Sequence, residues 1–369
     1  MAYTAPGVTV VTGIHHFVPL LHSGDAVGRH TLRLRDVTRA RGVTSDIYVD
    51  LIQDETADET LPAPDYEARA RRGDVVVYHL ATASSMARWL AGRRETLVVN
   101  YHNITPPELL EPWDPYLALG QARALSDLEV LAPRTALAVT DSAYNEAHLT
   151  ESGFAATAVV PPAATLGPEV VAVDPPPAPR DLAGGARWLA VGRVAPNKAL
   201  EHAITALAIT RQHSDSAATL RVIGRPVTDT YEPALRRLVD ELGLTDAVTF
   251  AGYASDAAVA DAYASSDVLV VTSEHEGFCV PVVEAMAAGL PVVGYNQGAV
   301  PEVLGGAGIL VATRDPYVLS RAIDHLLGDQ AEHRRVIEAG SRRLAELNLG
   351  SAAERFVDLV LPLAGETTR

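Results

Sequence analysis

Two short stretches of this chain set charged side chains beside glycine and proline in the manner of an anion site. The first is Gly192-Arg193-Val194-Ala195-Pro196-Asn197-Lys198, which follows an apolar run and opens a helical one. Glycine permits a tight turn, and Pro196 suits the start of a helix. A helix mouth attracts phosphate through its free N–H groups, and Arg193 and Lys198 add two full charges there. An Arg forks onto one phosphate while a Lys serves the next as a mobile point charge. The pair suits a diphosphate whose charge grows as it departs. The alternative is two solvated cations beside an ordinary turn. Composition weighs against it: of 30 cationic residues 29 are Arg, and the single Lys is Lys198.

The second stretch is Ser273-Glu274-His275-Glu276-Gly277-Phe278-Cys279-Val280-Pro281-Val282-Val283-Glu284. It follows an apolar run at 268–272, which places it at the carboxyl end of a strand. Pro281 suits the first turn of a helix that Gly289 would stop. Glu276 then belongs to the loop and Glu284 to the first helical turn. Gly277 lets backbone approach a ligand closely, and the N–H groups of Gly277, Phe278 and Cys279 would face phosphates. Each carboxylate accepts hydroxyl donors, so two of them can hold hydroxyl groups on either side of a diphosphate. The plainer reading makes Glu276 a cap and Glu284 a helix-dipole partner, each worth about 0.3–1 kcal/mol. That reading accounts for one acid better than for two.

The N-terminal half offers weaker candidates. His22-Ser23-Gly24-Asp25-Ala26-Val27-Gly28 precedes a helical stretch, and Gly24 and Gly28 would let a loop reach phosphates from an opposing wall. It is not the G-x-G-x-x-G of a dinucleotide site. His102 ends a strand and is followed by Asn103-Ile104-Thr105-Pro106-Pro107, which puts it at an opening rather than in a core. A turn-stabilising histidine is the alternative. His79 ends another strand, where a structural role reads equally well. His15 and His16 receive no role, and Ser142 reads as a helix N-cap.

These residues need elements to position them. Apolar runs at 8–12, 44–48, 75–79, 96–101 and 136–140 read as buried strands, with helical stretches at 29–41, 84–90 and 116–128. Residues 173–180, V-D-P-P-P-A-P-R, cannot continue a helix or a central strand. The alternation then restarts. Strands are predicted at 187–191, 219–223, 248–250, 268–272, 291–295 and 308–311, and helices at 198–212, 232–242, 256–265, 280–288 and 314–327. The fold predicted is α/β, with two Rossmann-like, doubly wound domains facing a central cleft. Its parts are an N-terminal domain at 1–172, a proline-rich linker at 173–186, a C-terminal domain at 187–350, and a last helix at 351–369 packing back on the first domain. Ligands of such pairs bind where the carboxyl ends of the two sheets face each other.

The stretch S-E-H-E-G-F-C-V-P-V-V-E-A-M-A-A-G-L-P-V-V resembles the E-x7-E signature of the retaining glycosyltransferases of family 4, which have the GT-B fold. G-R-V-A-P-N-K is similar to that family's phosphate-binding segment. Residues 221–224 and 248–252 resemble the strands and glycine turns of its nucleotide pocket, and G-A-V-P-E at 298–302 resembles the segment after the next strand. The pieces follow one another in the family's order over 187–330. The resemblance implies transfer of a sugar, with retention, from a UDP- or GDP-linked donor to a glycan, a lipid-linked acceptor or a small molecule. It implies no cofactor and no metal, and no D-x-D occurs to hold one.

The resemblance also implies roles. Arg193 and Lys198 would bind the diphosphate and stabilise its departure; Glu276 would hold hydroxyls of the donor sugar and Glu284 the ribose. His102 would lie near the donor sugar, orienting it or helping the acceptor, and Gly24 would face the donor phosphates. Cys279 departs from the pattern, since many members have Gly there. Glu276 and Glu284 are not to be read as the acid and nucleophile of a retaining glycosidase. A sugar-nucleotide epimerase or phosphorylase of the same fold, and a non-catalytic nucleotide-sugar-binding regulatory partner, stay open beside the transferase.

Composition narrows the field further. A chain of 369 residues fits two domains, and 48% hydrophobic content supports fully buried parallel sheets. A net charge of −16 speaks against nucleic acid as the main partner. No apolar run approaches the roughly 18 residues of a spanning helix, and the N-terminus does not read as an export signal. A single cysteine, Cys279, excludes an internal disulfide framework. A cytoplasmic protein is the expectation. Arginines at 29, 33, 35, 39 and 41, and again at 69, 71, 72, 88, 93 and 94, form either solvated faces or a peripheral contact with the inner membrane face.

Overall fold

The computed structural model describes residues 12–22, 24–163 and 181–365. Thirteen strands among them form two parallel sheets. The first sheet holds β1 (Ile14–Leu20), β2 (Ile47–Leu51), β3 (Thr60–Pro62), β4 (Val75–Leu80), β5 (Thr96–Tyr101), β6 (Thr135–Thr140) and β7 (Thr157–Val159). Their order across the sheet is β3-β2-β1-β4-β5-β6-β7. The second holds β8 (Arg187–Val191), β9 (Thr219–Ile223), β10 (Val248–Phe250), β11 (Val268–Val271), β12 (Val292–Tyr295) and β13 (Gly308–Val311), ordered β10-β9-β8-β11-β12-β13. Each order reverses beside the sheet's first strand, and loops diverging there open a crevice at the carboxyl edge. These are the two Rossmann-like sheets that the alternation predicts.

Both faces of each sheet are covered. Trp188 and Ala190 of β8 enter one apolar cluster of the second sheet, while Leu189 enters the other. In the first sheet Val75 and Val77 meet Phe356 on one face, and Val76 and Tyr78 meet Met86 and Leu128 on the opposite one. Strands buried on two faces read as unbroken apolar runs, which is why they are visible in the sequence. Each such side chain stabilises the fold by ~1.5–3 kcal/mol.

Of the strand expected at 8–12, residues 8–11 lie outside the described ones; the first described strand spans Ile14–Leu20 and has no counterpart in the sequence reading, because His15 and His16 break its apolar pattern. The second strand runs Ile47–Leu51 rather than 44–48. Strands β3 and β7 and the helices Val300–Leu304 and Gln330–Leu347 have no counterpart in the sequence reading. The last of these is long but buries only His333, Val336, Ile337 and Gly340. The proline-rich residues 173–180 lie outside the described ones.

Helix Ala352–Val360 packs on helix Ala26–Ala40, with Ala352, Phe356 and Val360 joining Ile14, Leu34 and Val98 in one cluster. Arg33 donates to Glu354 at 3.2 Å and Arg41 to Asp358 at 2.7 Å. Arg35 pairs with Asp36 and Glu59, and Arg39 donates to Asp46 at 3.0 Å. The arginines of this helix are thus met by the protein's own carboxylates. No helix among the described residues is long and apolar enough to cross a membrane.

Candidate functional site

At the carboxyl edge of the second sheet, β8 ends at Val191 and Gly192-Arg193 lead the chain into a 3-10 turn, Pro196–Lys198. Ala199 then takes a left-handed φ of +45° before helix Leu200–His213 begins. Lys198 therefore precedes the helix, and its Nζ donates to Glu276. The same Glu276 oxygen accepts the Ser273 hydroxyl at 2.6 Å. The Thr272 hydroxyl donates to the Lys198 carbonyl at 2.8 Å, and the Glu274 N–H to the Asn197 carbonyl at 2.8 Å. The Asn197 amide donates to the His275 carbonyl at 3.1 Å. Two stretches far apart in sequence are so joined into one surface.

Burial alone would raise the Glu276 carboxyl, but Lys198 and the Ser273 hydroxyl outweigh it and hold the acid below the usual carboxylate range. Arg193 is exposed and makes no hydrogen bond or ion pair among the described residues. A small recess lies here, lined by Gly192, Arg193, Lys198, Ser273, Glu276 and Cys279. A cation free to bind beside a cation already paired is an arrangement for a multiply charged anion.

The loop between β11 and helix Val280–Ala287 is fixed by backbone. A Cβ on Gly277 would fall 2.5 Å from the Asn103 Cβ and 2.8 Å from the Asn145 amide nitrogen, so this loop meets the first sheet with no room for a side chain. Gly298, at φ +57°, lets its segment lie against the Glu276 backbone, where a Cβ would meet the carbonyl at 2.6 Å. Cys279 stands at φ +70° as the residue before the helix. Glycine enters that region freely, while other residues lose roughly 1–2 kcal/mol. Backbone geometry thus accounts for the glycine that the resembled family often has at this place. Burial first, then Glu276, pushes the Cys279 thiol well above its ordinary range. Phe278 is buried in the cluster that covers this face of the sheet.

Glu284 lies in the second turn of helix Val280–Ala287, not the first, and is buried. The Tyr263 hydroxyl donates to it at 2.8 Å. Burial and then this carboxylate raise the phenol well above its ordinary range. Glu276 lines the recess and Glu284 does not, so the two acids address different places.

Across the cleft, Gly24 is exposed and faces the second sheet's loops: a Cβ there would sit 3.3 Å from the Tyr253 hydroxyl. Ser142 caps helix Ala143–Glu151, accepting the Asn145 N–H at 3.2 Å, and also donates to the Gly277 carbonyl at 2.6 Å. The N–H groups of Ala143 and Tyr144 donate to Glu302 at 2.8 and 3.2 Å. His275 Nε2 lies 2.8 Å from Asn103 Oδ1. Both polar atoms of the Asn145 side chain are buried with no partner among the described residues.

His102 directly follows β5, with its N–H donated to the Leu80 carbonyl at 2.9 Å. Its side chain is 4% exposed, so the ring lies below the cleft surface rather than on it. His30, His79 and His102 each bring one nitrogen within 4.8 Å of the others, a spacing that a small cation could use. The hydrogen bonds argue otherwise. His30 Nδ1 accepts the Ala163 N–H at 2.8 Å and its Nε2 lies 2.6 Å from the Asn100 amide, so both ring nitrogens are already engaged by protein groups. The sequence reading singled out His102 and His79 separately but neither His30 nor the cluster, and it gave no site role to Ser273, Tyr263, Asn145 or Glu302.

Residues 184–343 match the family described as glycosyl transferases group 1. A MMP alpha-(1->4)-mannosyltransferase of Mycolicibacterium hassiacum is 36% identical over 155 residues, which are 41% of this chain and 36% of that protein. The match thus spans little more than a third of that curated relative. Among solved structures, a sucrose-phosphate synthase from Thermosynechococcus elongatus superposes with a TM-score of 0.74 at 20% identity, covering 95% of this chain and 99% of that one. The Anabaena protein HepE in complex with UDP-glucose gives a TM-score of 0.75 at 16% identity, covering 95% and 99%. The two-sheet architecture is that of the GT-B glycosyltransferases.

Proposed function

We propose that this chain, whose second half carries the group 1 segment, is a retaining, metal-independent glycosyltransferase drawing on a UDP- or GDP-linked sugar. The observation that carries the reading is Lys198, the sole lysine, held against the buried Glu276 beside an uncommitted Arg193. On donor binding the two cations take the diphosphate, and the charge that builds on the leaving group meets fixed partners in a partly dry site. Glu276, held ionised by Lys198 and Ser273, accepts hydroxyls of the transferred sugar. Glu284, steadied by Tyr263, accepts from the ribose. Gly277, Phe278 and Cys279 offer backbone at the mouth of helix Val280–Ala287, whose first N–H groups have no partner inside the helix.

Gly24 and His102 belong to the opposing, acceptor-side wall, where His102 lies near the donor sugar and bears on its orientation through the strand end it holds. The acceptor is a glycan, a lipid-linked glycan or a small molecule. A lone buried cysteine fits a reducing compartment, the cytoplasm.

The test is a thermal-shift screen in EDTA across UDP, GDP, ADP, TDP and their sugars. A ligand at 100 times its Kd stabilises by ~2.7 kcal/mol. We expect UDP or GDP to stabilise, and turnover of the matching sugar nucleotide to give a product of unchanged anomeric configuration. No shift with any nucleotide overturns the proposal, and full conversion without an acceptor points to an epimerase.

A further inference from the structure

We propose that His79 and His16 are positioning residues of the cleft: through ring-to-ring hydrogen bonds they hold the His102 imidazole, and with it the strand end that meets the loop at Gly277. The proposal rests on the reading of His102 as part of the donor-sugar wall. Three distances carry it. His16 Nδ1 lies 3.0 Å from His79 Nε2, His79 Nδ1 lies 3.1 Å from His102 Nε2, and His102 Nδ1 lies 3.2 Å from the Asp141 carboxylate. The planes of His79 and His102 are 7° from parallel. The rings come from β1, β4 and the residue directly after β5, three neighbouring strands, so the chain runs across the sheet under its carboxyl edge.

The direction of each bond follows from the last one. A carboxylate oxygen accepts, so His102 carries a hydrogen on Nδ1. With His102 neutral, its Nε2 accepts from His79 Nδ1, and His79 Nε2 accepts from His16 Nδ1. His16 Nε2 is then left with an idle lone pair, and that atom is buried with no partner among the described residues. Adding a proton to His102 reverses both bonds and puts an N–H at this blind end, the rarer kind of buried orphan. Nothing at His16 supplies or removes a proton, so the chain is a lock and not a conduit.

The surroundings agree. Burial holds His16 down to about 3 and keeps His30 and His79 well below the ordinary imidazole range. His79 is faced by His30 and Thr31 from helix Ala26–Ala40 and by Asn100 from β5. Besides His79, the titratable or charged groups that act on His16 are His15, Arg35 and Arg39.

In either arrangement both nitrogens of His102 are occupied. The ring takes no proton from a substrate without dismantling the chain, and its service is to fix the turn His102-Asn103. Asn103 stands at φ +74°, pairs with His275 and packs on Gly277. Held from below, that turn behaves as part of the sheet.

The test uses the full chain with 15N-labelled histidine, as wild type, His79→Phe and His16→Phe. NMR of the wild type is expected to show scalar coupling across both N–H···N bonds, with the His102 hydrogen on Nδ1. His79→Phe abolishes both couplings; His16→Phe removes only the His16–His79 coupling, and decides the matter if His79→Phe fails to fold. With UDP-glucose and GDP-mannose as donors, kcat of whichever turns over falls at least tenfold in His79→Phe, while the Kd for the matching nucleoside diphosphate stays within twofold. Absent couplings in the wild type, or wild-type kcat in a folded His79→Phe, overturn the proposal. So does added zinc that displaces the ring hydrogens of His30, His79 and His102. A wild type that binds neither UDP nor GDP removes the donor-wall reading, while the couplings still judge the lock.

Discussion

The two sheets share one strand order and differ in what they carry at the carboxyl edge. The second sheet places charge there: Lys198 against Glu276, with Arg193 uncommitted beside them. The first places imidazoles, His16, His79 and His102, hydrogen-bonded in a row that runs from the Asp141 carboxylate to one idle end. On the proposed reading, one edge keeps full charges ready for a charged ligand, since neutralising a departing diphosphate would need them. The other ties its side chains to one another and gains rigidity. A common framework thus divides the work of a cleft between a wall that binds and a wall that holds still.

Charge on the binding wall predicts the largest effect. Lys198→Ala leaves the buried Glu276 without its partner and should cost about 3 kcal/mol by urea denaturation, as broken buried pairs do. It should also abolish stabilisation by UDP and GDP. Lys198→Ala with Glu276→Gln should recover most of the stability and none of the nucleotide binding. If the double variant still binds nucleotide, the charged wall is not the binding wall.

The holding wall predicts an effect of pH. His16 is held at about 3 against 6.5 in the unfolded chain, so below pH 6.5 the unfolded state binds the extra proton and stability falls with pH. The loss for His16 alone is about 2 kcal/mol between pH 6.5 and 5, at ~1.36 kcal/mol per unit. Glu276, held low, keeps its contribution above its unfolded value of 4.5 and loses it only at more acid pH. Urea midpoints should therefore fall from pH 6.5 downward, and less steeply in His16→Phe. An identical slope in that variant would place the acid sensitivity elsewhere.

The smallest effect tests whether the binding wall uses backbone at its loop. Cys279→Gly relieves roughly 1 kcal/mol of left-handed strain and forfeits a small buried side chain, so stability should move by less than about 1 kcal/mol. Nucleotide affinity should not change. A tenfold loss of affinity would mean that the thiol itself takes part.

The two walls also differ in how far they can be read from the chain. The binding wall is local: Gly192 to Lys198 and Ser273 to Glu284 are each a strand end, a loop and a helix start, and spacing alone suggests their chemistry. What escaped there is what strands bring together, namely the Lys198–Glu276 bond, the Ser273 hydroxyl and the Tyr263 support for Glu284. The holding wall is nonlocal. His16, His79 and His102 sit on or directly after three strands, with His30 beside them on a helix, and no spacing in sequence relates them. The cluster was hidden further because no strand was read at Ile14–Leu20, which left His15 and His16 in a loop. The helix Gln330–Leu347 went unread although it turns Val336 and Ile337 inward and packs Ala339, Leu344 and Leu347 on the core, because charged residues crowd the rest of it.

The return of the last helix to the first sheet has a reach beyond its own footprint. Phe356 stands edge-on to His30, 6.1 Å between centroids, so the tail of the chain forms the underside of the imidazole cluster. A protein built this way closes like a ring binder, its final segment clipping beneath its opening one. Trimming the C-terminus would be felt first at the histidines, more than 250 residues away along the backbone and one side chain away in space.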